Sequence, residues 1–116
     1  MRILIADDEK DFVETLKERI GQRGIEIDVA YDGAESIKLL KCNKYDAVFI
    51  DHNMPEMTGL EVIKYMRANG INSKVAMITA YEEMEDFLAK HLGADEYLTK
   101  PVKMEDVERL VKLWYT

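Results

Sequence analysis

With 116 residues, 47% of them hydrophobic, the chain carries enough apolar material for one compact core and too little for two, which excludes a two-domain enzyme. Its 23 acidic against 16 basic residues leave a net charge of −7, so the surface as a whole repels phosphate backbones and anionic lipid and argues against direct nucleic-acid or membrane binding. The one cysteine, Cys42, permits neither an intrachain disulfide nor a cysteine-rich zinc site, and fits a reducing compartment.

In chain order, Ile3 to Ala6 predicts a first strand that turns acidic at once into Asp7-Asp8-Glu9, too soon for the apolar core of a secretion signal. Phe12, Val13, Leu16 and Ile20 recur at helical spacing and predict an amphipathic helix, which Gly24 should stop. Ile25 to Val29 predicts the second strand. Asp32 with Glu35 has the three-residue offset of a cap and its reciprocal carboxylate, opening a second helix marked by Ile37 and Leu40. Cys42 falls at the end of that helix, where a half-buried small hydrophobe is expected. Ala47 to Ile50 predicts the third strand. Thr58 with Glu61 repeats the capping pattern ahead of Leu60, Val62, Ile63 and Met66, and Gly70 should end that helix.

Val75 to Thr79 predicts the fourth strand, and Met84, Phe87, Leu88 and Leu92 a fourth helix stopped by Gly93. The Glu82-Glu83-Met84-Glu85-Asp86 run at its start suits the positive end of a helix dipole and would also suit a basic partner. Tyr97-Leu98 predicts the fifth strand, and Val107, Leu110, Val111 and Trp114 the fifth helix. The methionines fall mainly at helical core spacing or in the turn around Met54-Pro55 and Met57-Thr58, and read as packing. Nowhere do 18 apolar residues run together, so no membrane span is expected and the cytoplasm is the expected location.

No low-complexity linker interrupts this alternation, so residues 1–116 are expected to form a single domain. Strands apolar on both faces, alternating with helices, imply an α/β fold: a five-stranded parallel sheet in a doubly wound (βα)5, flavodoxin-like sandwich. Such a fold keeps its site at the carboxyl ends of the strands. The residues there are Asp7, Asp8, Asp51, Thr79 and Lys100.

If the first and third strands are neighbours, the acidic residues after them converge. Two like charges ~4 Å apart repel by about 4 kcal/mol at an effective dielectric near 20, so the group must bind a cation, pair with a base or hold protons. Magnesium suits hard oxygen ligands and keeps waters that a phosphoryl oxygen can replace. Lys100 precedes Pro101, which biases it to extended backbone and permits a cis bond, and its ammonium can reach the carboxylates. The Thr79 hydroxyl can donate toward the same place. Taken singly, the acidic pair is an ordinary cap, Asp51 a turn residue, Thr79 a strand-end hydroxyl and Lys100 a surface lysine. Together at one sheet edge they describe a site that neutralises a transferred phosphoryl group, with a carboxylate as the attacking oxygen.

These blocks, Ile3-Leu4-Ile5-Ala6-Asp7-Asp8-Glu9, Asp46 to Asp51, Met54-Pro55-Glu56-Met57-Thr58-Gly59, Val75 to Ala80 and Gly93 to Pro101, resemble in order those of a response-regulator receiver domain over essentially the whole chain. The resemblance implies a signalling switch of two-component or phosphorelay systems rather than an enzyme with an external substrate. Asp51 would accept a phosphoryl group from a phosphohistidine, Asp8 would bind Mg2+ directly and Asp7 through water, and Asn53 would add its backbone carbonyl. Lys100 would pair with Asp51 and then with the phosphoryl oxygens, Thr79 would shift to bond them, and Tyr97 would rotate inward behind it. That couples the chemistry to the face made by the fourth helix, fifth strand and fifth helix. Asn53 and Tyr81, the second residues after Asp51 and Thr79, would tune dephosphorylation, with the Tyr81 ring slowing it.

The implied partners are a histidine kinase or histidine phosphotransfer protein as donor and a downstream protein or effector domain, with the chain a monomer or a phosphorylation-dependent dimer. The sequence stops soon after the fifth predicted helix, which fits either a stand-alone receiver or one belonging to a longer regulator or hybrid kinase. Two rival readings share the carboxylates: a small Mg-dependent aspartyl-phosphate phosphohydrolase, and a receiver-like scaffold that never takes phosphate. Asn53 stands where the first would want a second acid. His52 is expected to point away from Asp51, and neither it nor His91 has metal-ligand spacing.

Overall fold

The computed structural model describes residues 1–21, 24–80 and 93–115. Five strands form one sheet: β1 (Arg2–Ala6), β2 (Glu26–Ala30), β3 (Ala47–Asp51), β4 (Lys74–Thr79) and β5 (Glu96–Thr99). All neighbouring pairs are parallel, in the order β2-β1-β3-β4-β5. The described helices are α1 (Lys10–Gly21), α2 (Gly33–Cys42), α3 (Gly59–Ala68) and α4 (Met104–Tyr115), the last being the fifth of those predicted. The predicted fourth helix, with Tyr81, the Glu82–Asp86 run and His91, lies outside the described residues.

Alternation along the central strands divides the core. Leu4 and Ala6 of β1, Val48 and Ile50 of β3, and Val75 and Met77 of β4 join Leu40 of α2 and Val62, Ile63 and Met66 of α3 on one face. Ile3, Ile5, Ala47, Phe49, Ala76 and Ile78 pack on the other against Val13, Leu16 and Ile20 of α1 and Val107, Leu110 and Val111 of α4. Because the side-chain period of a strand is two, a strand that feeds both layers must be apolar on both faces, which is why β1, β3 and β4 are continuous apolar runs apart from polar residues at their ends. The same parity carries the Phe49 ring to Trp114, their centroids 5.8 Å apart.

Local chemistry sets the ends. Thr58 and Glu61 form the full reciprocal capping box of α3, whereas Asp32 accepts from the Glu35 N–H without a return bond. Gly24 and Gly70, past the ends of α1 and α3, have positive φ, as helix-stopping glycines should, and Gly93 ahead of β5 has positive φ as well. Cys42 departs from its expected half-buried state: it is exposed as the last residue of α2, beyond the buried Leu40 that turns the helix onto the sheet. Of the methionines, Met54, Met66 and Met77 are core residues, in line with a packing role.

Gly59 opens α3 against the end of β3, where a β-carbon would lie 2.8 Å from the Asp51 carbonyl oxygen and 2.9 Å from the His52 α-carbon. Neither backbone atom can yield without moving the strand end. Gly59→Ala is therefore expected to cost about 1–3 kcal/mol, read as a lower urea midpoint at unchanged m-value, and a midpoint equal to that of the parent protein would refute the close approach.

Candidate phosphoryl-transfer site

The strand order reverses direction at β1, which has β2 on one side and β3 on the other, so a crevice opens at the carboxyl ends of β1 and β3. Asp7 directly follows β1, and its N–H donates to the Ala30 carbonyl at 3.0 Å, which continues the ladder and fixes the side chain at the strand tip. Asp51 is the last residue of β3 and Thr79 the last of β4. All three are buried, Asp51 and Thr79 with 0% of their surface exposed and Asp7 with 1%. Asp8 is exposed.

One carboxylate oxygen from each of Asp7, Asp8 and Asp51 lies within 4.8 Å of the others. Among the described residues this acidic triad is the group whose donor set could hold a metal ion, and its hard, convergent oxygens fit a divalent cation. The Asp7 Oδ1 accepts the Glu9 N–H at 2.9 Å, and the Asp51 Oδ1 accepts the Asn53 N–H at 3.3 Å. Each side chain is thereby held by the backbone of the turn that follows it.

Lys100 reaches into the group from β5. Its N–H donates to the Thr79 carbonyl at 2.8 Å, and a cis bond joins it to Pro101. Its Nζ stands 3.1 Å from Asp51 Oδ1 and 3.2 Å from Oδ2. On its outer side Nζ lies 3.5 Å from Glu9 Oε1.

The charges are uneven. Burial raises the Asp7 carboxyl to about 6, opposed by the Glu9 N–H and reinforced by the negative charge of Asp51. Burial also raises Asp51 above the ordinary carboxylate range, although the Lys100 bond and charge pull it back. Burial would lower the Lys100 ammonium, but the Asp51 bond and the charges of Asp51, Asp7 and Glu9 prevail and leave it raised. One lysine against three acids leaves an excess of negative charge that a cation or a proton relieves.

The structure thus brings Asp7, Asp8, Asp51 and Lys100 together and sets Thr79 at the neighbouring strand end. Asn53 is exposed in the turn after Asp51. His52 is half-buried, its N–H donating to the Ile78 carbonyl at 2.8 Å and its carbonyl accepting the Gly59 N–H at 3.0 Å. Tyr97 is half-buried on the edge strand β5, opposite Met77 and against the α2–α3 core. Tyr81 lies outside the described residues.

Two polar anchors were not read from the sequence. Arg67, at the end of α3, donates to the carbonyls of Gly93, Ile71 and Ser73, and Asp95 accepts from it and from the Val75 N–H at 2.8 Å. These bonds fix the path into β5, and so the position of Tyr97 and Lys100. Arg2 and the Tyr45 hydroxyl converge on Asp28 at 2.8 and 2.6 Å, tying β1, β2 and the approach to β3 at the opposite end of the sheet. Burial and the Asp28 bond raise the Tyr45 phenol well above its usual value. Apart from the Ile71 and Ser73 carbonyls, four and six residues from Arg67, the partners lie 17 to 28 residues away, and helical or strand periodicity carries no signal for such pairings.

A sequence model of the response regulator receiver domain matches residues 3–112. The chain is 35% identical over 112 residues to the alkaline phosphatase synthesis transcriptional regulatory protein PhoP of Bacillus subtilis, covering 96% of this chain and 47% of that protein. It is 31% identical over 114 residues to the transcriptional regulatory protein DltR of Streptococcus agalactiae, covering 97% and 51%. The chain spans about half the length of these curated relatives. The receiver domain of the Francisella response regulator 1452 superposes with a TM-score of 0.92 at 33% identity, covering 98% of this chain and 95% of that one. The response regulator TrrA of Thermotoga maritima, solved in complex with Mg(2+)-BeF, gives a TM-score of 0.84 at 36% identity, covering 97% of both chains. Among the described residues no helix is long and apolar enough to cross a membrane.

Proposed function

We propose that this chain, which belongs to the response-regulator receiver-domain family, takes a phosphoryl group on Asp51 from a phosphohistidine and thereby changes its affinity for a downstream partner. The observation that carries this reading is the Asp51 carboxylate itself: buried at the tip of β3, 3.1 Å from the Lys100 ammonium, and beside two further carboxylates. A lone buried acid in that position would be a liability, whereas one facing an ammonium and a cation-binding group is a nucleophile in a site prepared for negative charge.

Asp7, Asp8 and Asp51, with the Asn53 backbone carbonyl, would hold a magnesium ion. Bound there, the ion supplies positive charge to the phosphoryl oxygens. In the transfer an Asp51 oxygen forms the new bond to phosphorus as the donor's nitrogen–phosphorus bond breaks. Lys100 exchanges its Asp51 partner for a phosphoryl oxygen, and the Thr79 hydroxyl donates to another. The acyl phosphate adds charge and acceptor oxygens at the ends of β3, β4 and β5, and a shift of a few kcal/mol is enough to move a two-state domain. Tyr97, on the edge strand next to Thr79's strand, would carry that shift to the face of β5 and α4.

Intact mass after incubation with magnesium and acetyl phosphate tests this directly. One labile phosphoryl adduct is expected on the parent protein, lost with a chelator and absent from Asp51→Asn. Incorporation at the parent level in Asp51→Asn would overturn the assignment. Continuous release of phosphate from a small ester, rather than one stoichiometric adduct, would point to a phosphohydrolase, and a folded parent protein without any adduct to a phosphate-independent scaffold.

A further inference from the structure

Lys100 is held by two carboxylates, and only one of them is the candidate nucleophile. Glu9, the residue after the acidic pair, sets its Oε1 3.5 Å from Nζ, while Asp51 holds Nζ at 3.1 Å from the inner side. The Glu9 side chain is 62% exposed and that of Lys100 is 26% exposed, so Glu9 is the solvent-facing partner of the pair. A groove of about 420 Å³ opens beside them, walled by Phe12, Ile78, Pro101 and Val102, with Glu9 and Lys100 as its charged residues. A small phosphodonor that engages Lys100 on its way to Asp51 comes within range of the Glu9 charge.

We propose that Glu9 is a positioning residue that holds Lys100 from the solvent side and, through its charge, selects against small anionic phosphodonors at Asp51. The inference rests on the reading of Asp51 as the phosphoacceptor. A free phosphoryl anion must draw Lys100 away from Glu9 while approaching a fixed negative charge within a Debye length, and it has no docking contacts outside the site to offset that repulsion. A donor presented on a protein surface brings docking contacts that compensate. Glu9 thus lets the site react with a docked donor while restraining reaction with free metabolite-sized acyl phosphates.

The test is the initial rate of adduct formation with acetyl phosphate at saturating magnesium, measured on the parent, Glu9→Gln and Glu9→Asp proteins across ionic strength. Glu9→Gln should react about threefold or more faster at about 10 mM salt, the advantage fading toward none at about 0.5 M as screening removes the repulsion. Glu9→Asp, which keeps the charge, should stay near the parent rate. The gain should shrink with phosphoramidate, a donor of lower negative charge. A side chain acting only on folding would show neither the salt dependence nor the rescue by Asp. Equal or slower reaction of Glu9→Gln at low salt, with the parent protein phosphorylating normally, would overturn the role of Glu9 and leave Asp51 as the acceptor. Absence of any Asp51 adduct on the parent protein would overturn both.

Discussion

Asp7→Asn is expected to raise the unfolding free energy at pH 7 by about 2–3 kcal/mol in metal-free buffer, although it removes a residue of the site. The Asp7 carboxyl is raised from 3.8 to about 6, chiefly by burial, so the folded protein keeps its proton where the unfolded chain has lost it. Between these two values the native state binds more protons than the unfolded state, and stability falls as pH rises. The contribution is fully present below about pH 4, is lost as pH rises through 6, and is constant above that. An asparagine carries no such cost and keeps an Oδ1 acceptor for the Glu9 N–H.

Urea unfolding of both proteins between pH 4 and 7 checks this, since the titrating groups not coupled to Asp7 cancel in the difference. The two should be nearly equal at the acid end and diverge toward neutrality. Magnesium should restore stability to the parent protein at pH 7 and do much less for the variant, because binding to the folded state alone stabilises by mass action. An Asp7→Asn protein less stable than the parent at pH 7 would show that Asp7 is a structural anchor, and that the burial cost is offset by contacts the geometry does not reveal.

This instability explains in part why the site was legible in the sequence. Charged residues directly after apolar runs conflict with burial, and such local conflicts concentrate at functional positions. Asp7, Asp51 and Thr79 announce themselves because each ends a strand that is apolar on both faces, and Lys100 because a proline follows it. The central strands were legible for the same reason. The edges were less so: β5 spans Glu96–Thr99 where only Tyr97-Leu98 was expected, since an edge strand with three half-buried residues shows little apolar run. β2 is displaced by one residue from the expected Ile25–Val29, because Ile25 is apolar as a member of the core layer that holds α1 and not for pairing. The Glu9–Lys100 contact spans 91 residues, and the Arg67 carbonyl anchor depends on where the α3–β4 connection meets the approach to β5. The turn into α3 places Glu56 at φ 73°, a conformation glycine or asparagine would favour, so its residue type gave no warning.

Lys100→Met is expected to slow phosphorylation of Asp51 by about a hundredfold while leaving the β5 backbone in place, because the Lys100 N–H bond to Thr79 does not involve the side chain. Two effects act in the same direction. The transferred phosphoryl group loses its ammonium, and removing one preorganised charge of this kind typically costs 10²–10³ in rate, roughly 3–4 kcal/mol. The Asp51 carboxyl, already raised by burial with Lys100 as its main opposing charge, rises further and holds its proton to higher pH than in the parent protein. A protonated carboxyl is no nucleophile, so the rate deficit should narrow as pH increases over the range in which the protein stays folded, without closing. Initial rates of adduct formation across that range separate the two parts: the slope with pH reports the lost influence on Asp51, and the plateau reports the lost contact with the phosphoryl group. Lys100→Arg should recover little, since a guanidinium is wider than the gap in which Nζ lies 3.1 and 3.2 Å from the two Asp51 oxygens. A Lys100→Met protein that phosphorylates within twofold of the parent at every pH would mean that the ammonium only balances the buried acids at rest, and that the positive charge for transfer comes entirely from the cation.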